Sequence, residues 1–369
     1  MKKITRLFAV SIIFMLFSGL AFAIPGIIDF LPTNSGSYVY YRDYTYPTET
    51  YIGFLLYDQN TYALRYVSPK AENSAKSICL YVTVDPNKSG IELTGEHIEG
   101  EFGPADVETL NYLHDLLYEL SARRKELNGK NFGAGVKSIE TYPQFGGEVS
   151  MEYAAFVPFF NLCSISSTPN NSVFVPVTAN GKSGGNNKKL FSLAYTGALT
   201  SDADTSFTDF NGVPDFPAVK QGSGEKIKAP LFKQTQNLEG FSFKIDKNWQ
   251  PAGENTWTLG EQSILNVFSI QFAQATIGQA DFVMSVMLCP EKNIYPVFDQ
   301  LETKRGTNYL QFSLPTYSTE TGKLVRNLTG LYNLNEKEIE VISITVDEVV
   351  YQANRKYFDS IINSSQCKK

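Results

Sequence analysis

A chain of 369 residues exceeds the length over which one hydrophobic core keeps growing, so two domains are expected. Its 43% apolar content is enough to fill such cores and excludes a mainly disordered polypeptide. Thirty-eight acidic side chains against 32 basic ones exclude a phosphate-tracking surface, because nucleic-acid binding depends on clustered Lys and Arg.

The sequence opens with Lys2, Lys3 and Arg6, an apolar run over residues 7–17, and then Ala21-Phe22-Ala23. A basic start, a short apolar stretch and a small-x-small site form the pattern of a cleaved export signal, so residues 1–23 are read as a signal peptide. The apolar run is shorter than the roughly 20 residues a spanning helix needs, and no second long run follows. No transmembrane segment is therefore expected in the mature chain, which would be exported to the periplasm or the cell exterior. Loss of three basic residues with the signal leaves 29 against 38 acids, a formal net of -9.

Residues 24–210 read as the first domain. Runs at 38–46, 51–57 and 61–67, parted by Pro47-Thr48-Glu49 and Asp58-Gln59-Asn60, are written as three short antiparallel strands joined by turns. Nine of the 21 tyrosines fall between Tyr38 and Tyr66, which admits two readings. One is an aromatic binding face that includes Tyr40, Tyr44 and Tyr46. The other, which β-propensity alone accounts for, is that these rings line a sheet.

A further strand over 78–84 leads to residues 91–102, where a period of two places His97, Glu99 and Glu101 on one face. One imidazole and two carboxylates suit a divalent cation or acid–base work, with Glu99 and Glu101 as the catalytic pair and His97 and Glu99 as ligands. An ordinary solvated strand face is the simpler account. Over 105–127, Val107, Leu110, Leu113, Leu117 and Leu120 recur at helical spacing, with acids early and Arg123, Arg124 and Lys125 late, and Asn128-Gly129 stops the helix. His114 borders that apolar stripe and reads as a packing residue. Strands are expected again at 149–160, 172–178 and 190–196.

Two motif matches fail on inspection. Residues 181–185 fit G-x-S-x-G, but a strand rather than a helix follows, which rules out a nucleophile elbow. Asp202, Asp204 and Ser206 imitate half of a calcium loop, yet Phe207 stands where the turn needs Gly and Val213 where the bidentate Glu belongs. Asp202 and Asp204 remain the residual metal-ligand candidates there. No cofactor is expected.

Residues 211–237 contain Pro214, Pro217, Gly222, Gly224 and Pro230 without sustained periodicity and read as a linker. In the second domain, 238–369, strands are expected at 241–245, 255–259, 264–272 and 282–288. A short helix capped by Asn293, with Pro296 in its first turn and Gly306 as its stop, comes next. Strands at 309–314, 324–332 and 338–346 then lead to a final helix burying Val346, Val349, Val350, Ala353, Tyr357 and Ile361. The fold class expected is α+β, in two domains, each a mainly antiparallel β-sheet packed with one or two helices.

The stretch Phe241-Ser242-Phe243-Lys244-Ile245-Asp246-Lys247-Asn248-Trp249, together with the closing strand and helix ending in Phe358-Asp359-Ser360-Ile361-Ile362-Asn363-Ser364, resembles the sandwich of the photosystem extrinsic-subunit (PsbP-like) family. Lys247 and Asn248 stand where that family has Pro and Gly. The resemblance covers about a third of the chain and implies an antiparallel sheet flanked by helices and a binding or assembly role, with no catalytic residues. Trp249 and Trp257, the two tryptophans, read as core residues, with an exposed sugar-stacking pair as the alternative. Arg326 places a cation inside an apolar strand, where it could pair with an acid across the sheet.

Cys79, Cys163, Cys289 and Cys367 include no C-x-x-C pair, so redox and zinc-knuckle spacing is missing. In an oxidising compartment Cys79 with Cys163 and Cys289 with Cys367 is the within-domain disulfide pairing; four thiols are the alternative. The functional expectation is an exported bacterial envelope protein, a non-enzymatic module that binds or assembles with an envelope protein or a small ligand. A carboxylate-dependent hydrolase acting on a polysaccharide and a carrier of an apolar ligand are the competing classes.

Overall fold

The computed structural model describes residues 36–44, 48–57, 61–70, 77–84, 91–92, 136–142, 147–167, 188–218, 224–228, 233–272, 280–288 and 293–368, a few positions inside those spans excepted. The expected helix at 105–127 and the expected strand at 172–178 lie outside the described residues. The chain divides into two compact units, residues 1–213 and 214–369.

In the first unit the short Tyr-, Val- and Leu-rich runs form β1 (Ser37–Asp43), β2 (Thr50–Leu56), β3 (Thr61–Val67), β4 (Ser77–Val84) and β5 (Ile91–Glu92). Four more follow: β6 (Val136–Tyr142), β7 (Gly147–Tyr153), β8 (Leu162–Ser167) and β9 (Lys188–Ala198). They make one nine-stranded sheet in the order β5-β4-β3-β2-β1-β9-β8-β7-β6, so two meanders meet where β1 pairs antiparallel with β9.

All seven residues of β2 are buried, so both faces of the sheet centre are covered. Tyr38 and Tyr40 project to one face, where Phe207 and Phe210 pack on them; the Tyr40 and Phe210 rings stack at 4.0 Å. On the other face Phe54 meets Phe160 edge-on at 5.0 Å. Close approach of the rings depends on two glycines. Gly53 lies opposite Tyr40 and Gly197 opposite Tyr38, and a Cβ at either position would run into the tyrosine ring.

The second unit contains β10 (Gln234–Asn237), β11 (Phe241–Ile245), β12 (Gln250–Gly253), β13 (Thr256–Leu259) and β14 (Ser263–Gln271). After these come β15 (Ile294–Pro296), a 3-10 turn (Phe298–Gln300), β16 (Glu302–Arg305), β17 (Tyr309–Ser318), β18 (Leu324–Asn335), β19 (Glu338–Asp347), the helix α1 (Glu348–Asn363) and β20 (Gln366–Cys367). A three-stranded sheet runs β10-β11-β20 and an eight-stranded one runs β12-β13-β14-β19-β18-β17-β15, with β16 also on β17. Between them Phe241, Phe243, Ile245 and Trp249 pack with Leu265, Val267, Leu328, Ile342 and Ile344, and with Tyr351, Phe358 and Ile361 of α1.

The molecule is mainly antiparallel β and richer in strand than the α+β expectation; among the described residues α1 is the one long helix. Two expected elements change type. The apolar run at 282–288 is helical at Val283, Met284, Val286 and Met287, with Leu288 N donating to Met284 O at 2.9 Å. The helix expected after Asn293 is instead β15, a single 3-10 turn and β16, because both segments find ladder partners on β17. Asn293 takes a left-handed φ of 68° and turns the chain into β15.

The stretch expected as a linker is tied to the second unit. Asn354 departs from helical dihedrals inside α1 and uses its amide on residues 225–227: Nδ2 donates to Glu225 O at 2.7 Å and Oδ1 accepts from Ile227 N at 2.8 Å. Residues 234–237 are β10 itself.

Replacing Gly53 with Ala forces the Tyr40 ring off its place, and over-packing of that kind costs about 1–3 kcal/mol. Denaturant unfolding followed by near-UV circular dichroism should show a lower midpoint for Gly53→Ala, and the further drop that Gly53→Ala causes should be smaller in a Tyr40→Ala background.

Candidate functional site

The tyrosines considered as a binding face are divided by the fold. Tyr40 is fully buried, its hydroxyl donating to Phe207 O at 2.6 Å and accepting from Arg65 Nη1 at 3.2 Å. Desolvation holds that hydroxyl far above the ordinary phenol range, so it is a core group. Tyr44 is half-buried and shares a hydrogen bond with Ser192 Oγ at 3.1 Å, and Tyr46 lies outside the described residues. Arg65 also donates to Phe207 O and Phe210 O, which holds the segment carrying both phenylalanines on the sheet.

His97, Glu99, Glu101 and Asp202 lie outside the described residues. Asp204 is half-buried and its Oδ1 accepts from Ser206 N at 2.8 Å, a local turn. Among the described residues no three His, Cys, Asp or Glu side chains group in a way that would hold a metal ion. Cys79, Cys163 and Cys367 are thiols, so the Cys79 to Cys163 bond is not formed; Cys289 lies outside the described residues. Burial pushes the Cys163 thiol up to about 12, and the neighbouring Glu152 adds to the shift.

The tryptophans do not form an exposed pair. Trp249 is 3% exposed in the core of the second unit, and Trp257 packs against that core with its ring edge-on to Phe243 at 5.3 Å.

Arg326 finds its acid 22 positions later, at the start of α1. Its Nε and Nη2 donate to Glu348 Oε2 and Oε1 at 2.8 and 2.7 Å, both side chains being almost fully buried. Gln300 Oε1 accepts from Nη2 at 3.2 Å, Gln352 Nε2 donates to Glu348 Oε1 at 2.6 Å, and the guanidinium lies over the Tyr351 ring at 4.8 Å. Glu348 also stands in the first turn, where the helix dipole favours a negative charge. This cluster fastens α1 to β18 and is a structural lock.

The surface that offers itself to a partner is the outer face of the eight-stranded sheet. On β14, Leu265 and Val267 enter the core, so Ile264, Asn266 and Phe268 point outward. Ile264 is 44% and Phe268 43% exposed, two of the few large apolar side chains left uncovered. Register places Thr258 and Thr345 beside Ile264, and Thr256 and Ser343 beside Asn266.

Hydroxyls and amides form a band across these strands. Thr256 Oγ1 lies 3.0 Å from the Asn266 amide, Thr345 Oγ1 donates to Asn327 Oδ1 at 3.0 Å, and Asn327 Nδ2 to Thr316 Oγ1 at 3.0 Å. Farther along the same face Val341, Leu331 and Leu310 are fully buried, so the exposed strip is confined to the β13–β14 side. Sequence reasoning missed it because 263–271 is apolar at most positions, and nothing in the pattern says which face is covered.

With the geometry in place, the chain can be set beside known proteins. Residues 36–192 match a family model described as Domain of unknown function (DUF7954), and residues 233–366 match a second, Domain of unknown function (DUF7955). No curated protein matches. Among solved structures the chain is similar to the solution structure of cyanobacterial PsbP (CyanoP) from Synechocystis sp. PCC 6803. That similarity has 11% sequence identity and a TM-score of 0.25, and covers 40% of this chain and 99% of that chain. The weak PsbP-like resemblance drawn from residues 241–249 and the closing helix is thus met again, and it brings no residue role with it. Among the described residues no helix is long and apolar enough to cross a membrane.

Two measurements test these assignments. Removing one partner of the buried pair leaves an uncompensated charge, so Arg326→Met or Glu348→Gln should each cost about 3–5 kcal/mol in thermal unfolding, and the double apolar replacement much less. Alkylation of unreduced, denatured protein should label Cys79, Cys163 and Cys367, with the fully buried Cys79 slowest when the protein is native; a peptide linking Cys79 to Cys163 would contradict the thiol assignment.

Proposed function

We propose that this chain is an exported binding or assembly module of a bacterial cell envelope, working without catalysis, whose second unit presents the contact surface. The observation that carries the reading is the outward face of β14, where Ile264 and Phe268 stay 44% and 43% exposed on one sheet face around Asn266; Val286 and Met287 are the other large apolar side chains exposed among the described residues of the unit. Apolar side chains kept exposed on one sheet face offer an apolar contact to a partner. Export rests on the sequence of residues 1–23, and the net charge of the mature chain speaks against nucleic acid as the partner.

Affinity purification from native envelope extract, using mature protein beside a Phe268→Glu variant, tests the reading. A partner or ligand retained in stoichiometric amount by the parent chain and lost from Phe268→Glu, at an unchanged melting temperature, is the expected result. Retention that is identical in both, or no retained molecule at all, would remove the β14 face as the contact surface.

A further inference from the structure

Building on that binding reading, we propose that the strip centred on Asn266 takes a neutral polyhydroxylated chain, that is, an uncharged glycan. Three properties of the strip lead there.

The first is its alternation. Same-face residues of a strand stand about 7 Å apart, so Ile264 and Phe268 flank the Asn266 amide at that spacing on either side. A sugar ring is amphipathic in the same way, with C–H groups on its faces and hydroxyls at its edges. An aliphatic and an aromatic side chain can cover the C–H faces while the amide meets a hydroxyl.

The second is the state of the amide. Thr256 Oγ1 lies 3.0 Å from one end of the Asn266 amide and 3.1 Å from Glu254 O, so the amide is held at one end only. The other end of the amide has no protein partner among the described residues and is open to a ligand hydroxyl, which both donates and accepts. The Thr258 hydroxyl, beside Ile264, is likewise uncommitted among the described residues. An apolar ligand would bury these groups without replacing their water, at a cost that disfavours a lipid here.

The third is charge and size. Thr256, Thr258, Ile264, Asn266, Phe268, Ser343 and Thr345 include no ionisable group, whereas a phosphate or carboxylate ligand calls for Arg or Lys. Three strands at about 4.8 Å spacing and about 13 Å of strand length give a strip of roughly 200 Å². A stable protein interface needs about 800 Å² on each partner, so a second copy of the chain or a folded protein is a poor fit to the strip by itself.

The test titrates the full mature chain with cellohexaose and with chitohexaose as neutral probes, and with a galacturonate hexamer as the charged one, by calorimetry and two-dimensional NMR. Saturable binding of a neutral probe, insensitive to added salt and absent for the polyanion, is the expected result. Asn266→Ala and Phe268→Ala should each weaken it about tenfold or more with unchanged melting temperature, and Phe268→Tyr should retain it. If Asn266→Ala does not fold, the exposed Phe268 alone decides.

Absence of saturation with both neutral probes overturns the glycan assignment, as does salt-sensitive uptake of the polyanion or self-association that Phe268→Ala abolishes. The two proposals fail separately. Loss of an envelope partner from Phe268→Glu without any glycan binding keeps the contact surface and removes the glycan; failure of both experiments removes both.

Discussion

An antiparallel sheet whose strands carry apolar side chains on both faces has to be covered twice. That requirement organises each unit of this chain. In the first, β2 is buried at every position, and the two covers are the Phe207–Phe210 segment on one side and the Phe160 region on the other. In the second, α1 and the three-stranded sheet cover the inner face of the large sheet, while the outer face is covered at Val341, Leu331 and Leu310 but left open along part of β14. The candidate site is the place where the requirement is not met within the unit.

Two buried cations hold covers in place. Arg65 reaches from β3 to the carbonyls of Phe207 and Phe210, converting a loop without regular structure into a fixed lid of aromatic rings. Arg326 does the same for α1 through a bidentate contact with Glu348. Burying such charges stabilises little in net terms, since desolvation offsets most of the attraction. What they supply is position: guanidinium geometry admits one arrangement of its partners, and an apolar contact would admit several.

Most strands were legible because a period of two bounded by turn residues has few other meanings, and β3 falls on the expected limits of 61–67. The failures cluster where that signal is missing. The run at 282–288 is apolar at every position but Ser285, so periodicity cannot separate a buried strand from a helix, and its residues 283, 284, 286 and 287 are helical. Residues 294–305 carry a helical pattern in Ile294, Val297, Phe298 and Leu301, yet the ladder offered by β17 outweighs that local preference. Asn354, in the middle of a good helix pattern, binds residues 225–227, which no local rule anticipates.

The sequence by itself determined the strand-rich class, the closing helix and the cation that Arg326 places inside an apolar strand, all properties of neighbouring residues or of single side chains. Only the tertiary structure decided which faces are covered. It turned Tyr40 from a binding candidate into core, supplied Glu348 to Arg326, and left Ile264 and Phe268 exposed around an amide. The physical reason is that alternation tells which side chains share a face, but exposure depends on what packs against that face, and those covers come from segments far away in the chain.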